Sequence, residues 1–139
     1  MAVLVDTSVW SLALRRRPGV LSEAERFLAS ELQRLIEKRQ ARLIGPIRQK
    51  LLSGIREQAQ YERLRDYLRA FPDEHITTTD YEAAADLDNQ CRRAGLSGSA
   101  VDLLICAVAL DRSWAILTTD PDFGRFARVL PIVLSPPRQ

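Results

Sequence analysis

The chain predicts a single α/β domain, a central parallel sheet of four to five strands flanked by helices. Three observations lead there. Short β-rich runs alternate with segments of helical spacing. Capping residues, glycines and prolines punctuate the joins. Finally, 139 residues without an internal repeat or linker fit one domain large enough to bury a core. Strands separated by helices favour parallel pairing through right-handed crossovers.

Taken in order, Ala2–Val5 is a compact aliphatic strand, and Thr7–Arg16 continues at helical spacing. Ser22 with Glu25 makes a capping box that opens an amphipathic helix to Gln40. Arg42–Ile44 is a short strand, and Gly45-Pro46 breaks the chain, with Pro46 suited to the first helical position. A helix then runs to Glu57, and another over Tyr61–Ala70 stops at Phe71-Pro72. His75–Thr78 reads as a strand, and Thr79 with Glu82 as a second capping box whose helix ends at Gly95. Ser99 opens AVDLLICAVALDR, apolar on nearly every side and therefore central. Trp114–Thr118 is a strand, Pro121–Ala127 a short helix and Val129–Leu134 the last strand, before a tail over 134–139 marked by Pro136-Pro137.

A net charge of +2 is too mild to announce nucleic-acid binding. Basic residues do cluster, at Arg15, Arg16 and Arg17, at Arg34, Lys38, Arg39 and Arg42, and at Arg92 and Arg93. Such clusters are most often solvated helix faces, although those near the N-terminal helices can also line an RNA path. Cys91 and Cys106 form no CxxC, and the one histidine, His75, stands beside no motif, so a zinc site is excluded. Cys106 reads as a small core residue, as do Trp10 and Trp114 as core rings. The apolar N-terminus carries Asp6 early and its arginines after the run, the reverse of a signal peptide. No run approaches the roughly 18 apolar residues that cross a bilayer. A cytoplasmic protein with no membrane contact is the expectation.

In parallel sheets, sites form beyond the carboxyl ends of the strands. Asp6 follows AVLV directly and Asp120 follows AILTT, with Asp122 two residues on; Asp102 falls in the first turn of the helix opened by Ser99. Each acid has a plain alternative: Asp6 and Asp120 as helix caps, Asp102 as the third-position acid of a capping box. Gathered at one edge they call for a cation. Two carboxylates about 4 Å apart repel by roughly 4 kcal/mol at an effective dielectric of about 20. A set of oxygens without His or Cys selects Mg²⁺, with Mn²⁺ possible, and suits phosphate substrates.

The runs VDTSVW, GSAVDLLICAVA and LTTDPDF, in that order and over nearly the whole chain, resemble the PIN-domain family, and within it the VapC-type toxins of toxin–antitoxin pairs. The resemblance implies a magnesium-dependent endonuclease, a hydrolase that uses metal-activated water to cleave RNA phosphodiester bonds. It further implies a homodimer held inactive by a cognate VapB-type antitoxin. It makes Asp6, Asp102 and Asp120 metal ligands with Asp122 a nearby acid, and it lets Thr7, Ser8 and Thr118 position water or the phosphate.

The family pattern also places a glutamate on the helix after the second strand, in a pattern close to xELLxG. This chain reads QKLLSG, so Lys50 takes that place in the catalytic set. Ile47, Leu51 and Ile55 define an apolar face with position 50 at its border. The plain alternative is a snorkelling surface lysine. An ammonium about 4 Å from Mg²⁺ is repelled by roughly 8 kcal/mol at the same dielectric. A millimolar metal site is worth only about 4 kcal/mol. Lys50 is therefore expected to swing away or to pair with Asp6 or Asp102, with reduced or lost cleavage either way. The rival is a catalytically silent PIN module that binds antitoxin or RNA without cutting. A receiver domain would need an acidic pair after the first strand, where only Asp6 stands, and a dinucleotide-binding fold would need GxGxxG.

Overall fold

The first strand is three aliphatic residues, Val3–Val5 (β1), all buried. That is what a strand covered on both faces requires. The computed structural model describes residues 1–14 and 18–136. Arg15, Arg16 and Arg17 and the end of the tail, residues 137–139, lie outside them. The remaining elements are α1 (Thr7–Leu14), a short 3₁₀ turn (Pro18–Val20), α2 (Glu23–Glu37), β2 (Ala41–Arg42), α3 (Gly45–Leu52), α4 (Gln58–Leu68), α5 (Thr78–Arg93), α6 (Ala100–Arg112), β3 (Ala115–Leu117), α7 (Asp122–Phe126) and β4 (Leu134–Ser135). The sheet has four strands in the order β2-β1-β3-β4, every pair parallel. Helices flank it, so the fold class read from the sequence holds.

One register decides where chemistry can occur. Val3 pairs with Ala115 and Val5 with Leu117, so β1 and β3 end side by side. The backbone N–H of Asp6 donates to the Leu117 carbonyl at 2.9 Å and extends the ladder by one residue. Over this pair lies α6, whose residues 103–109 are all buried. Trp10 is fully buried, its ring N–H donating to the Val5 carbonyl at 3.1 Å and its ring packed edge to face with Phe71 at 5.1 Å between centroids. Trp114 is only half-buried, beneath the Arg42 guanidinium at 5.8 Å.

Several boundaries differ from the sequence reading, each for a local reason. His75–Thr78 is not a strand. Thr77 instead caps α5 in a reciprocal box with Asp80, two residues before the Thr79–Glu82 box that spacing suggested. Asp80 wins because Arg112 grips its carboxylate with two N–H groups, at 2.7 and 3.0 Å. The segment 129–134 contributes only its end: Leu130 N–H still bonds back to the Phe126 carbonyl, and pairing with β3 is confined to Leu134 and Ser135 among named strand residues. The second strand lies one residue earlier than Arg42–Ile44, because Ile44 is the N-cap of α3. The helix expected to reach Glu57 ends at Leu52, since Gly54 takes φ +80° and turns the chain out of the helix. The Ser22–Glu25 and Ser99 boxes form as read.

Arg112 fastens α6 to the start of α5. Besides Asp80 it donates from Nε to Glu74 at 3.0 Å and from Nη2 to the His75 carbonyl at 2.8 Å. Hydrogen bonds from Arg112 hold the Asp80 carboxyl below its ordinary value, against the opposing effect of burial. A depressed carboxylate stabilises the fold fully above its unfolded pKa, near 3.8, and that increment is lost as pH falls through the folded value. Arg112→Met strands a buried carboxylate and should cost on the order of 3 kcal/mol in urea unfolding at neutral pH. Its loss of stability below about pH 4 should be shallower than that of the wild type. Gly98→Ala tests the turn before α6. An added Cβ would lie 2.5 Å from Phe126 Cζ and 2.9 Å from Leu103 Cδ2, both on buried side chains, so a cost of about 1–3 kcal/mol is expected by the same measurement.

Candidate metal centre

The site assembles where β1 and β3 end. Asp6, buried to 7% exposure, follows β1 immediately. Its backbone carbonyl accepts from Val9 and Trp10 N–H and so starts α1, leaving the side chain free for other work. Asp6 Oδ2 accepts two hydroxyls, Ser8 Oγ and Thr118 Oγ1, each at 2.8 Å. Each hydroxyl also accepts a backbone N–H from the loop after β3: Thr119 N donates to Ser8 at 3.0 Å, and Asp120 N to Thr118 at 3.0 Å. Asp6 therefore anchors the loop that carries Asp120. Its carboxylate is not a helix cap.

The other acids are held by their own local motifs. Asp102 stands in the first turn of α6, exchanging bonds with Ser99: Asp102 N donates to Ser99 Oγ at 3.1 Å, and Ser99 N to Asp102 Oδ2 at 3.4 Å. Asp120 Oδ1 accepts from Asp122 N at 2.9 Å, which starts α7. The capping alternative is thus real for Asp102, whereas Asp120 bonds the first residue of α7, whose N-cap is Pro121; both bonds fix the side chains without removing them from the site. Asp102, Asp120 and Asp122 each bring one oxygen within 4.8 Å of the others, all three half-buried. Asp6 lies outside that triple but close enough to be felt. Burial pushes the Asp102 carboxyl up, hydrogen bonds from Ser99 offset part of this, and the charges of Asp120 and Asp6 add to it.

The donor set fits a hard divalent ion. Three carboxylates converge with no nitrogen or sulfur donor among them, the composition Mg²⁺ and Mn²⁺ prefer. The thiols play no part: Cys106 is fully buried and burial pushes it up to about 12, while burial and the Asp88 charge raise Cys91. An apolar cavity of about 500 Å³ along α5 and α6, lined by Tyr81, Ala84 and Leu104, contains none of the acids. A smaller one of about 170 Å³ has Thr118, Thr119 and Asp120 in its wall.

Lys50 occupies the last turn of α3, beside buried Ile47 and Leu51, and its side chain is exposed. Of the two arrangements expected for Lys50, swinging away or pairing with Asp6 or Asp102, the pair does not form: no ion pair joins Lys50 to any described acid. Ser8 and Thr118 bond Asp6 Oδ2, Ser99 bonds Asp102, and the exposed Lys50 keeps its ammonium hydrated. Thr7 opens α1 half-buried. The cation that does touch the cluster is Arg125, which donates to Asp122 from one turn along α7. Sequence reasoning passed over it, although the spacing in DPDFGR was the available signal.

A family model described as PIN domain matches residues 3–129. No curated protein matches the chain. Three solved structures share the fold. One is FitAcB from Neisseria gonorrhoeae, with a TM-score of 0.74 and 22% identity, covering 96% of this chain and 97% of that one. VapBC2 from Rickettsia felis, bound to a DNA fragment from its promoter, gives 0.73 at 16% identity over 97% and 98%. FitAB bound to the IR36 DNA fragment gives 0.72 at 18% identity over 95% and 92%. With the match running from β1 to just beyond α7, and the same architecture in all three structures, this chain belongs to the PIN-domain family.

Proposed function

We propose that the chain is a VapC-type toxin, a metal-dependent endoribonuclease whose cleavage is weakened by Lys50 and whose partner is a cognate VapB-type antitoxin. The observation that carries this reading is the convergence of Asp102, Asp120 and Asp122 at the strand ends of a PIN fold. PIN domains are generally nucleases that use divalent metal, and the fold shared with VapBC2 and the two Fit complexes supports an antitoxin partner. Homodimer formation and a cytoplasmic location belong to the same reading. Among the described residues no helix is long and apolar enough to cross a membrane.

In this reading Asp102, Asp120 and Asp122 offer the oxygens that hold Mg²⁺ or Mn²⁺. A bound divalent ion supplies charge neutralisation at the phosphate and a more acidic water. Asp6, a ligand by family resemblance, also works from beneath: through the Thr118 hydroxyl it fixes the backbone of Asp120, and through Ser8 that of Thr119. Ser8, Thr118 and Thr7 line the approach of the scissile phosphate. Lys50 replaces the fourth acid, so the site loses one ligand and gains a mobile positive charge nearby. The second reading, a module that binds antitoxin or RNA without cutting, draws on that same exposed lysine.

Three outcomes test these assignments. Lys50→Glu should raise Mg²⁺- or Mn²⁺-dependent cleavage of cellular RNA by about tenfold or more, read on gels against the native chain; equal, robust activity in both removes Lys50 from the account. Asp102→Asn placed in the Lys50→Glu chain should lower its activity by about 100-fold, erasing the gain and falling below the native chain, with the fold intact by circular dichroism. Thr118→Val removes the hydroxyl shared by Asp6 and Asp120 N and should lower stability by about 1–2 kcal/mol in chemical denaturation. Calorimetric titration with Mn²⁺ separates the readings, because the silent module should release no binding heat.

A further inference from the structure

α7 is a short helix with two faces fixed by its sequence. Phe123 and Phe126 are buried at 0% and 1% exposure, ring centroids 5.5 Å apart edge to face, and they clamp the helix to the core. Asp122 and Arg125 share the adjoining face at the same three-residue spacing. The Phe pair thus sets Asp122 toward Asp102 and Asp120, and sets Arg125 beside it, where its Nη1 donates to Asp122 Oδ1. Three carboxylates with oxygens within 4.8 Å of each other strongly disfavour being charged together. Among the described residues Arg125 is the one cation in an ion pair with any of them; Lys50 makes none.

We infer that Arg125 is an exchangeable counter-ion of the acidic cluster: its guanidinium neutralises Asp122 in the metal-free protein, yields that carboxylate to a divalent ion, and is then free to meet a substrate phosphate. This rests on the metal site proposed above. The exchange is feasible because the contact is weak and open. Both side chains are about half exposed, at 50% for Arg125 and 43% for Asp122, and such pairs are worth little in water. A divalent ion on Asp122 draws on the same carboxylate charge that holds the guanidinium and repels it as a like charge, so each ion that binds weakens the hold of Asp122 on Arg125. The long side chain needs only to rotate outward, since its helix is held by the phenylalanines and not by the pair. A planar fork released within reach of the cluster matches a phosphate diester in a way that an ammonium does not. Arg125 acts on the metal site through Asp122, and on the substrate only once it is released from that carboxylate.

Arg128, just beyond α7, is exposed and has no ion pair among the described residues, and it supplies the control. Removing either arginine changes net charge equally, but only Arg125 touches the cluster. The experiment is a Mg²⁺ titration of the full chain followed by ¹⁵N NMR, at about 0.15 M salt, where charges beyond roughly 8 Å are screened. Backbone amides of Asp102, Asp120 and Asp122 report affinity, and the Arg125 Nε–Hε signal reports the exchange. Wild type, Arg125→Gln and Arg128→Gln are compared, each with Lys50 intact and with Lys50→Glu. Arg125→Gln should bind about two- to fivefold tighter, Arg128→Gln should stay close to wild type, and the Arg125 Nε signal should move along the same curve as the aspartate amides. Equal affinity for the two glutamine variants, or an Nε signal that stays still while the amides shift, overturns the counter-ion role and leaves the metal site standing. Amides that never respond in any of the six chains overturn the metal site, and the counter-ion role with it.

Discussion

A single register organises this molecule: β1 lies beside β3 in parallel, with Val5 opposite Leu117. Two strands more than a hundred residues apart in sequence end at the same level, and the next residue of each chain segment enters one shared space. Asp6 N–H extends the ladder to the Leu117 carbonyl, and the hydroxyls of Ser8 and Thr118 tie the Asp6 carboxylate to the loop beyond β3. The loop is therefore not free to place Asp120 at random. A buried carboxylate that accepts two hydroxyls also sets the direction of both, which leaves each hydroxyl oxygen able to accept a backbone N–H.

The acids meet at a cost that the local motifs offset. Asp102 and Asp120 each complete a helix start, and that hydrogen bonding repays part of the repulsion among charges held so close. Capping and metal binding are often treated as competing explanations of one aspartate. Here the cap is the device that aims the ligand, because a carboxylate fixed by its own helix terminus cannot rotate away from its neighbours. Burial is the main reason that the Asp102 carboxyl is raised, and the charges of Asp120 and Asp6 add to it.

Two basic residues stand in different relations to this cluster. Lys50, proposed to stand where the family pattern has an acid, is exposed, and a compact, strongly hydrated charge is most stable in solvent. Arg125 shares a helix face with Asp122 and is held against it by the packing of Phe123 and Phe126. Proximity in the chain, not the strength of the cation, decides which one pairs. Arg112 is the opposite case: from 32 residues away its grip on Asp80 moved a helix start by two residues from where Thr79 and Glu82 would have put it.

The amino-acid order by itself determined the alternation of strand and helix, the central helix over 100–112, the Ser22 and Ser99 caps and the four acids, because these depend on periodicity and on neighbours a few residues away. It also marked Lys50 as the departure from a family pattern. Tertiary structure alone decided that 75–77 leads into a helix beginning at Thr78 instead of pairing, that 129–134 contributes only its end to the sheet, and that Asp122 joins the tight triple while Asp6 holds its loop through Thr118. Each of those outcomes turns on a partner distant in sequence: Arg112 for Asp80, β3 for β4, Thr118 for Asp6. Local spacing carries no record of such partners, since their energy exists only once the sheet has brought them into contact.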